Sequence, residues 1–204
     1  MRALSDAVNI LAATSNADIV MYDVGPNIGP LNRAVLLDCD FFVTPVAQDL
    51  FSLRALSTVG RSAAKWINDY QTIRDLAPNP HSGLLSGEPH YLGYIASAFK
   101  VKVGKRATNP HAQWENKIAP RVVSRVVNVL ADINPSLVPS GGNKIGGIKH
   151  YQSLAPSAQE NGVAFGQLKG LVNSGYNSTV QMAAEQFKAV AKELVHRMGI
   201  APPA

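Results

Sequence analysis

Asp23 is the residue best placed to do chemistry. It closes the short apolar run Asp18–Asp23 (DIVMYD) and is followed at once by Gly25-Pro26-Asn27-Ile28-Gly29-Pro30. An apolar run, a carboxylate and then a glycine–proline loop read as a strand running into a turn. In open α/β sheets ligands gather beyond the carboxyl ends of strands, and a carboxylate there can hold Mg²⁺, usually through water. The same carboxylate can equally serve only to cap a helix or close a turn.

Other catalytic sets are thin. Ser62-Ala-Ala-Lys65 has the Ser-x-x-Lys spacing, but it falls in a helical stretch and no Lys-Thr-Gly follows. There is no Gly-x-Ser-x-Gly elbow. The five histidines (His81, His90, His111, His150 and His196) are scattered, and only His81 and His90, flanking one loop, invite thought of a shared metal. Cys39 is the single cysteine, so no intrachain disulfide or multi-cysteine metal site can form. Between Asp38 and Asp40 its thiolate is discouraged, and an inert thiol is expected. Gly141-Gly142-Asn143-Lys144-Ile145-Gly146 has the outer glycine spacing of a phosphate cradle but continues Gly147-Ile148 rather than Lys-Ser/Thr. Gly104-Lys105-Arg106 lacks both the upstream glycine and the hydroxyl. Both read as loops.

Charge is concentrated in one place. The chain has 204 residues with a formal net charge of +5. Residues 1–99 carry six basic and nine acidic groups, net −3, and residues 126–204 carry a net +2. Between them, residues 100–125 hold Lys100, Lys102, Lys105, Arg106, Lys117, Arg121 and Arg125 against Glu115, net +6. Such a segment either faces solvent or draws in phosphate backbones and acidic surfaces through its field. With 46% hydrophobic residues and few charges, the composition is that of a folded domain rather than a disordered chain. No run approaches the ~20 apolar residues of a membrane span, and Asp6 and Asn9 interrupt any secretory signal. A cytoplasmic protein is expected.

Alternating elements must position these groups. Leu4, Ala7, Val8 and Leu11 place a helix over Arg2–Ala13, and Asp18–Asp23 reads as a strand. Leu31–Cys39 follows as a helix, Phe41–Val46 as a buried strand, and a long helix runs from about Phe51 to Leu76. After a loop at Ala77–Pro89 comes a strand at Tyr91–Ser97. A helix around Gln113–Ile133 should be kinked or split by Pro120. Asn134–Gly147, with two prolines and four glycines, reads as irregular, and Ile148–Tyr151 as a short strand. Thr179–Met198 is a closing helix with Val180, Ala183, Ala184, Phe187, Val190, Ala191, Leu194 and Val195 on one apolar face, and 199–204 a tail. Strand–helix alternation argues for one α/β domain over residues 1–204, built from parallel βαβ units.

The stretch from Ala17 to Leu56, ADIVMYDVGPNIGPLNRAVLLDCDFFVTPVAQDLFSLRAL, resembles the middle of the ParA/MinD-type partition ATPases. That family runs from an apolar strand into an Asp-x-Pro-Pro loop, the Walker B and switch II region. A helix and a strand ending in Pro then lead to an acidic–x–x–Ser-Leu-x-x-Leu helix start. Asp23 falls on the metal-associated aspartate and Pro26 on the second switch proline. Phe42-Val43-Thr44-Pro45-Val46 matches the later strand, and Asp49–Leu56 the helix start. Tyr91–Ile95, Ser153–Phe165 and Thr179–Met198 resemble the family's next strand, its base-bordering segment and its closing helix. Two departures stand out. Gly25 replaces the first switch proline, and only 22 residues precede Asp23, so the Lys-Gly-Gly-x-Gly-Lys-Thr cradle (Walker A) is missing.

The resemblance implies the C-terminal portion of a parallel-sheet, P-loop NTPase-like domain that works as an ATP-dependent dimerisation switch for partitioning DNA or cargo. It implies ATP and Mg²⁺ as cofactors, with Asp23 holding the metal through water. Gly25, Pro26 and Asn27 would then belong to the loop Val24–Gly29 that senses the γ-phosphate. It implies a homodimer, a ParB-like activating protein and non-specific DNA as partners, for which Lys100, Lys102, Lys105 and Arg106 are the candidate contacts. Without the cradle the chain as it stands is expected not to hydrolyse ATP. The alternative is a non-catalytic binding or scaffold protein derived from the same fold.

Overall fold

Leu53, Leu56, Gly60, Ala63, Ile67 and Tyr70 recur at intervals of three and four residues, and they form the buried stripe of the longest helix. The computed structural model describes residues 2–25, 28–77, 84–99, 109–151 and 154–200. Within them, α1 is Arg2–Ser15, α2 Pro30–Asp38, β1 Phe41–Ala47, α3 Leu50–Asp75 and β2 His90–Phe99. There follow α4 (Asn109–Val122), a π turn (Val123–Val127), α5 (Asn128–Ala131), β3 (Lys144–Lys149), α6 (Leu154–Asn161) and α7 (Asn177–Arg197). No helix among the described residues is long and apolar enough to cross a membrane.

The three strands form a parallel sheet in the order β1-β2-β3. Phe41 lies opposite His90 and Ala47 opposite Ser97, with an irregularity between Phe42 and Val43. Tyr94 lies opposite Lys144 and Ser97 opposite Ile148. Parallel strands need helical crossovers, which cover both faces. On one face Val46, Tyr91, Tyr94 and Ala96 pack with Leu56, Ile67, Ile118, Val122, Val126 and Leu130 of α3 to α5. On the other, Leu92 and Ile145, flanked by Phe41 and Val43, meet Val190 and Leu194 of α7. A third cluster of Tyr151, Leu154, Leu168, Val180 and Ala183 joins α6 to the start of α7. Inside the larger core the Thr44 and Tyr91 hydroxyls share a 2.7 Å hydrogen bond, and burial pushes the Tyr91 phenol well up, so it stays neutral.

The helices α1 to α5 and α7 and the strands β1 and β2 form where periodicity places them, within a few residues, whereas α6 is not foreseen. Two readings are corrected. Asp18–Asp23 is not a strand: it runs irregular along the surface, with Ile19, Val20 and Met21 exposed at 43%, 44% and 80%. A strand's N–H and C=O groups need a neighbouring strand, and none of the described strands pairs with this run. The supposedly irregular Asn134–Gly147 and the strand at Ile148–Tyr151 give way to β3 at Lys144–Lys149, so Gly146 and Gly147 lie inside a strand. A Cβ on Gly146 would come within 2.8 Å of Val190, and the bare backbone lets α7 seat on the sheet. The helix expected to kink or split at Pro120 holds that residue in the last turn of α4 and passes into the π turn three residues later.

Candidate functional site

Asp23 sits on the exposed segment that leads into α2. Two residues on, the Gly25 carbonyl accepts a 2.7 Å hydrogen bond from the Asn32 side-chain amide, which ties this segment to the first turn of α2. Gly29 is the N-cap and Pro30 opens the helix, where its missing N–H costs nothing. Tyr22, next to Asp23, has its phenol raised by partial burial and then by the charges of Asp38 and Cys39. The segment therefore passes the end of α2 that feeds the start of β1, and Asp23 does not close a strand at the sheet's carboxyl edge as the sequence suggests. Pro26 and Asn27 lie outside the described residues, as do Lys100, Lys102, Lys105 and Arg106.

Mg²⁺ keeps several waters and takes one or two carboxylates plus phosphate oxygens. Among the described residues no group of three His, Cys, Asp or Glu could hold a metal. Asp23 thus fits Mg²⁺ only as a single carboxylate acting through water beside a bound phosphate, and it makes no metal cage. The acidic–x–x–Ser piece of the motif has a structural role of its own. Asp49 accepts from the Ser52 amide at 2.7 Å and from its hydroxyl at 3.2 Å, capping α3.

The part of the basic segment within the described residues does assemble a site. Lys117 and Arg121 on α4 meet Arg54 on the first turns of α3 around a cavity of about 530 Å³. Leu50, Leu53, Trp114 and Pro120 supply its apolar lining. The Lys117 ammonium stands 4.9 Å from the centre of the Trp114 ring, whose body packs onto the main core. Because α3 starts three residues after β1 ends, the cavity opens at the carboxyl edge of the sheet. Among the side chains that the structure describes, which do not include that of Glu115, no carboxylate lines it and none of the three cations forms an ion pair. The spacing of Trp114, Lys117 and Arg121 could have shown one helix face in the sequence; Arg54, sixty residues earlier, could not.

A second cavity, of about 610 Å³, lies at the amino edge and includes Phe41, His90, Ser136 and Arg197 in its lining. Arg197 uses four of its five donors there: it donates to the carbonyls of Leu92, Gly142 and Lys144 and pairs with Glu193 at 2.7 Å. The glycine segment 141–146 thus offers carbonyls to an arginine and runs into β3, the opposite of an N–H cradle for phosphate. His90 contacts the Ser136 carbonyl at 2.8 Å, while His81 lies outside the described residues. In the Ser62–Lys65 pair, Lys65 is bound to Asp69 at 2.8 Å on the outside of α3.

The Cys39 thiol is pushed up to about 11, first by burial and then by Asp38 and Asp40. Alkylation at about pH 8 should run roughly 100-fold slower than for free cysteine, because so little thiolate is present. The rate should climb until about pH 11; a free-cysteine rate would contradict the burial. In the unfolded chain the thiol ionises first, so its contribution to stability, complete at neutral pH, is lost between about 9 and 11.

No protein-family profile matches the chain, and no curated protein matches it. Among solved structures it is similar to the crystal structure of protein DIP2308 from Corynebacterium diphtheriae, at 23% identity and a TM-score of 0.56. The match covers 94% of this chain and 53% of that one, so the chain spans about half the length of that protein. The likeness is one of fold: an α/β arrangement with helices flanking a parallel sheet.

Proposed function

We propose that this chain is the switch-bearing, C-terminal portion of a ParA/MinD-type ATPase, a protein that dimerises with ATP and Mg²⁺ to partition DNA or cargo in the cytoplasm. The observation that carries the reading is the continuous forty-residue motif whose later elements coincide with α2, β1 and the capped start of α3. The parallel order of the sheet and the half-length match to a larger protein of this fold both favour it. In this reading Asp23 orients a Mg²⁺-bound water beside the nucleotide, and the loop Val24–Gly29, with Gly25, Pro26 and Asn27, follows the γ-phosphate. ATP and Mg²⁺ supply the phosphoryl chemistry. The cradle that grips the phosphates must come from chain other than these 204 residues.

Fluorescence titration with a labelled ATP analogue tests this. The protein isolated from its own cells should bind the analogue with a requirement for Mg²⁺, and the 204-residue chain alone should not. Absence of binding by the native protein would refute the reading. A second prediction concerns DNA. Every phosphate that a cation neutralises adds nearly one to the slope of log affinity against log salt. Replacing Lys100, Lys102, Lys105 and Arg106 together by Ala should therefore flatten that slope by about 3.6, and an unchanged slope would remove these residues from the DNA contact.

A further inference from the structure

We propose that the cavity between α3 and α4 is a docking site for an acidic segment of a partner protein, one that inserts a single large apolar side chain. The inference stands apart from the nucleotide reading, since nothing in it involves Asp23, ATP or Mg²⁺. It rests on the division of the site. The apolar part of the lining is buried Leu53 and half-buried Trp114, with exposed Leu50 and Pro120. Arg54 and Lys117, both exposed, and half-buried Arg121 share the lining, three positive charges with no carboxylate among the lining side chains described. A volume of about 530 Å³ exceeds that of any one side chain, so an anchor residue and its neighbouring backbone fit together.

Both halves of the site must be satisfied by one ligand. Burying an apolar anchor against Leu53 and the Trp114 edge removes about 25 cal/mol per Å² of apolar surface from water. Carboxylates flanking the anchor then meet the two guanidiniums, whose planar donor forks suit them, and the Lys117 ammonium. A nucleic-acid strand answers the charge but not the interior. Its bases would need the open face of the indole, and Lys117 already stands over that ring at 4.9 Å. Charge complementarity together with the apolar interior favours the peptide.

The test uses the 204-residue chain and the acetylated peptide Asp-Glu-Asp-Leu-Phe-Glu-Asp-Glu, without nucleotide. The chain has two tryptophans, so in a Trp66→Phe variant the emission reports Trp114 alone. Calorimetry on the unaltered chain gives the same affinity should that variant fold poorly. The peptide should shift the emission saturably, and its Leu-Phe→Ser-Ser counterpart should not. Replacing Arg54, Lys117 and Arg121 together by Ala should weaken binding about 10-fold, since exposed charges each add modestly. Arg125→Ala, exposed on the same segment but outside the lining, should leave it unchanged. No saturable response, or equal binding by the triple variant with intact circular dichroism, overturns the proposal. So does a single-stranded oligonucleotide of equal charge that binds more tightly and displaces the peptide, which would make this a nucleic-acid site.

Discussion

Gly60→Ala lowers the thermal midpoint of the chain by about 4–8 °C, although the same change on an exposed helix would stabilise. Alanine gains about 1 kcal/mol of helix propensity over glycine. At this position, however, a Cβ would overlap the carbonyl oxygen of Arg125, and the Val126 Cα would lie 3.1 Å away. These are backbone atoms of the π turn that follows Pro120, where the widened helix presses directly on α3. A backbone cannot rotate out of the way as a side chain can, so the overlap is relieved only by separating α3 from α4 and α5. Overpacking of this kind costs about 3 kcal/mol. The clash thus outweighs the propensity by about 2 kcal/mol, which in a chain of this length corresponds to a shift of that size. Thermal denaturation followed by circular dichroism reads the sign directly. An unchanged or raised midpoint would mean that the two helices do not meet there.

If the proposed ATPase reading holds, Asp23→Asn in the protein isolated from its own cells reduces Mg²⁺-dependent ATP turnover by about 10–100-fold. That is the usual loss when a group orienting a metal ligand through an intervening contact is removed. Asn keeps the shape and hydrogen-bonding capacity but gives up the charge that orders water on the metal. Because Asp23 is exposed and Gly25, not Asp23, ties the loop to Asn32, folding should be unaffected. Steady-state turnover measured against Mg²⁺ concentration separates the effects: raising Mg²⁺ should recover part of the loss. A variant with unaltered turnover and unaltered Mg²⁺ dependence would reduce Asp23 to an ordinary surface carboxylate.

Residues that bury a periodic face are legible in the amino-acid sequence itself. Leu53 to Tyr70 on α3 and Val180 to Leu194 on α7 announce their helices because burial alone decides those positions. The features that escape such a reading depend on partners distant in the chain. Gly146 has the local character of a turn residue, yet its role is to admit Val190, more than forty positions away. Phe187 and Ala191, which periodicity puts on the apolar face of α7, are exposed because the stripe meeting the sheet is narrower than the pattern suggests. The run Asp18–Asp23 has every local property of a strand, but strand formation needs a neighbour that no local pattern supplies. Of the candidate site, Asp23 and Gly25 are legible from their motif, whereas Arg54 joins Lys117 and Arg121 only through the packing of α3 on α4.

Ile19, Val20, Met21 and Val24 are exposed apolar side chains on a segment that none of the described strands pairs with. Sedimentation velocity on the native protein, with and without Mg²⁺-ATP, tests the switch most directly. The account predicts a slower-sedimenting monomer without nucleotide and a dimer with Mg²⁺-ATP. A single species of unchanged sedimentation under both conditions would contradict it.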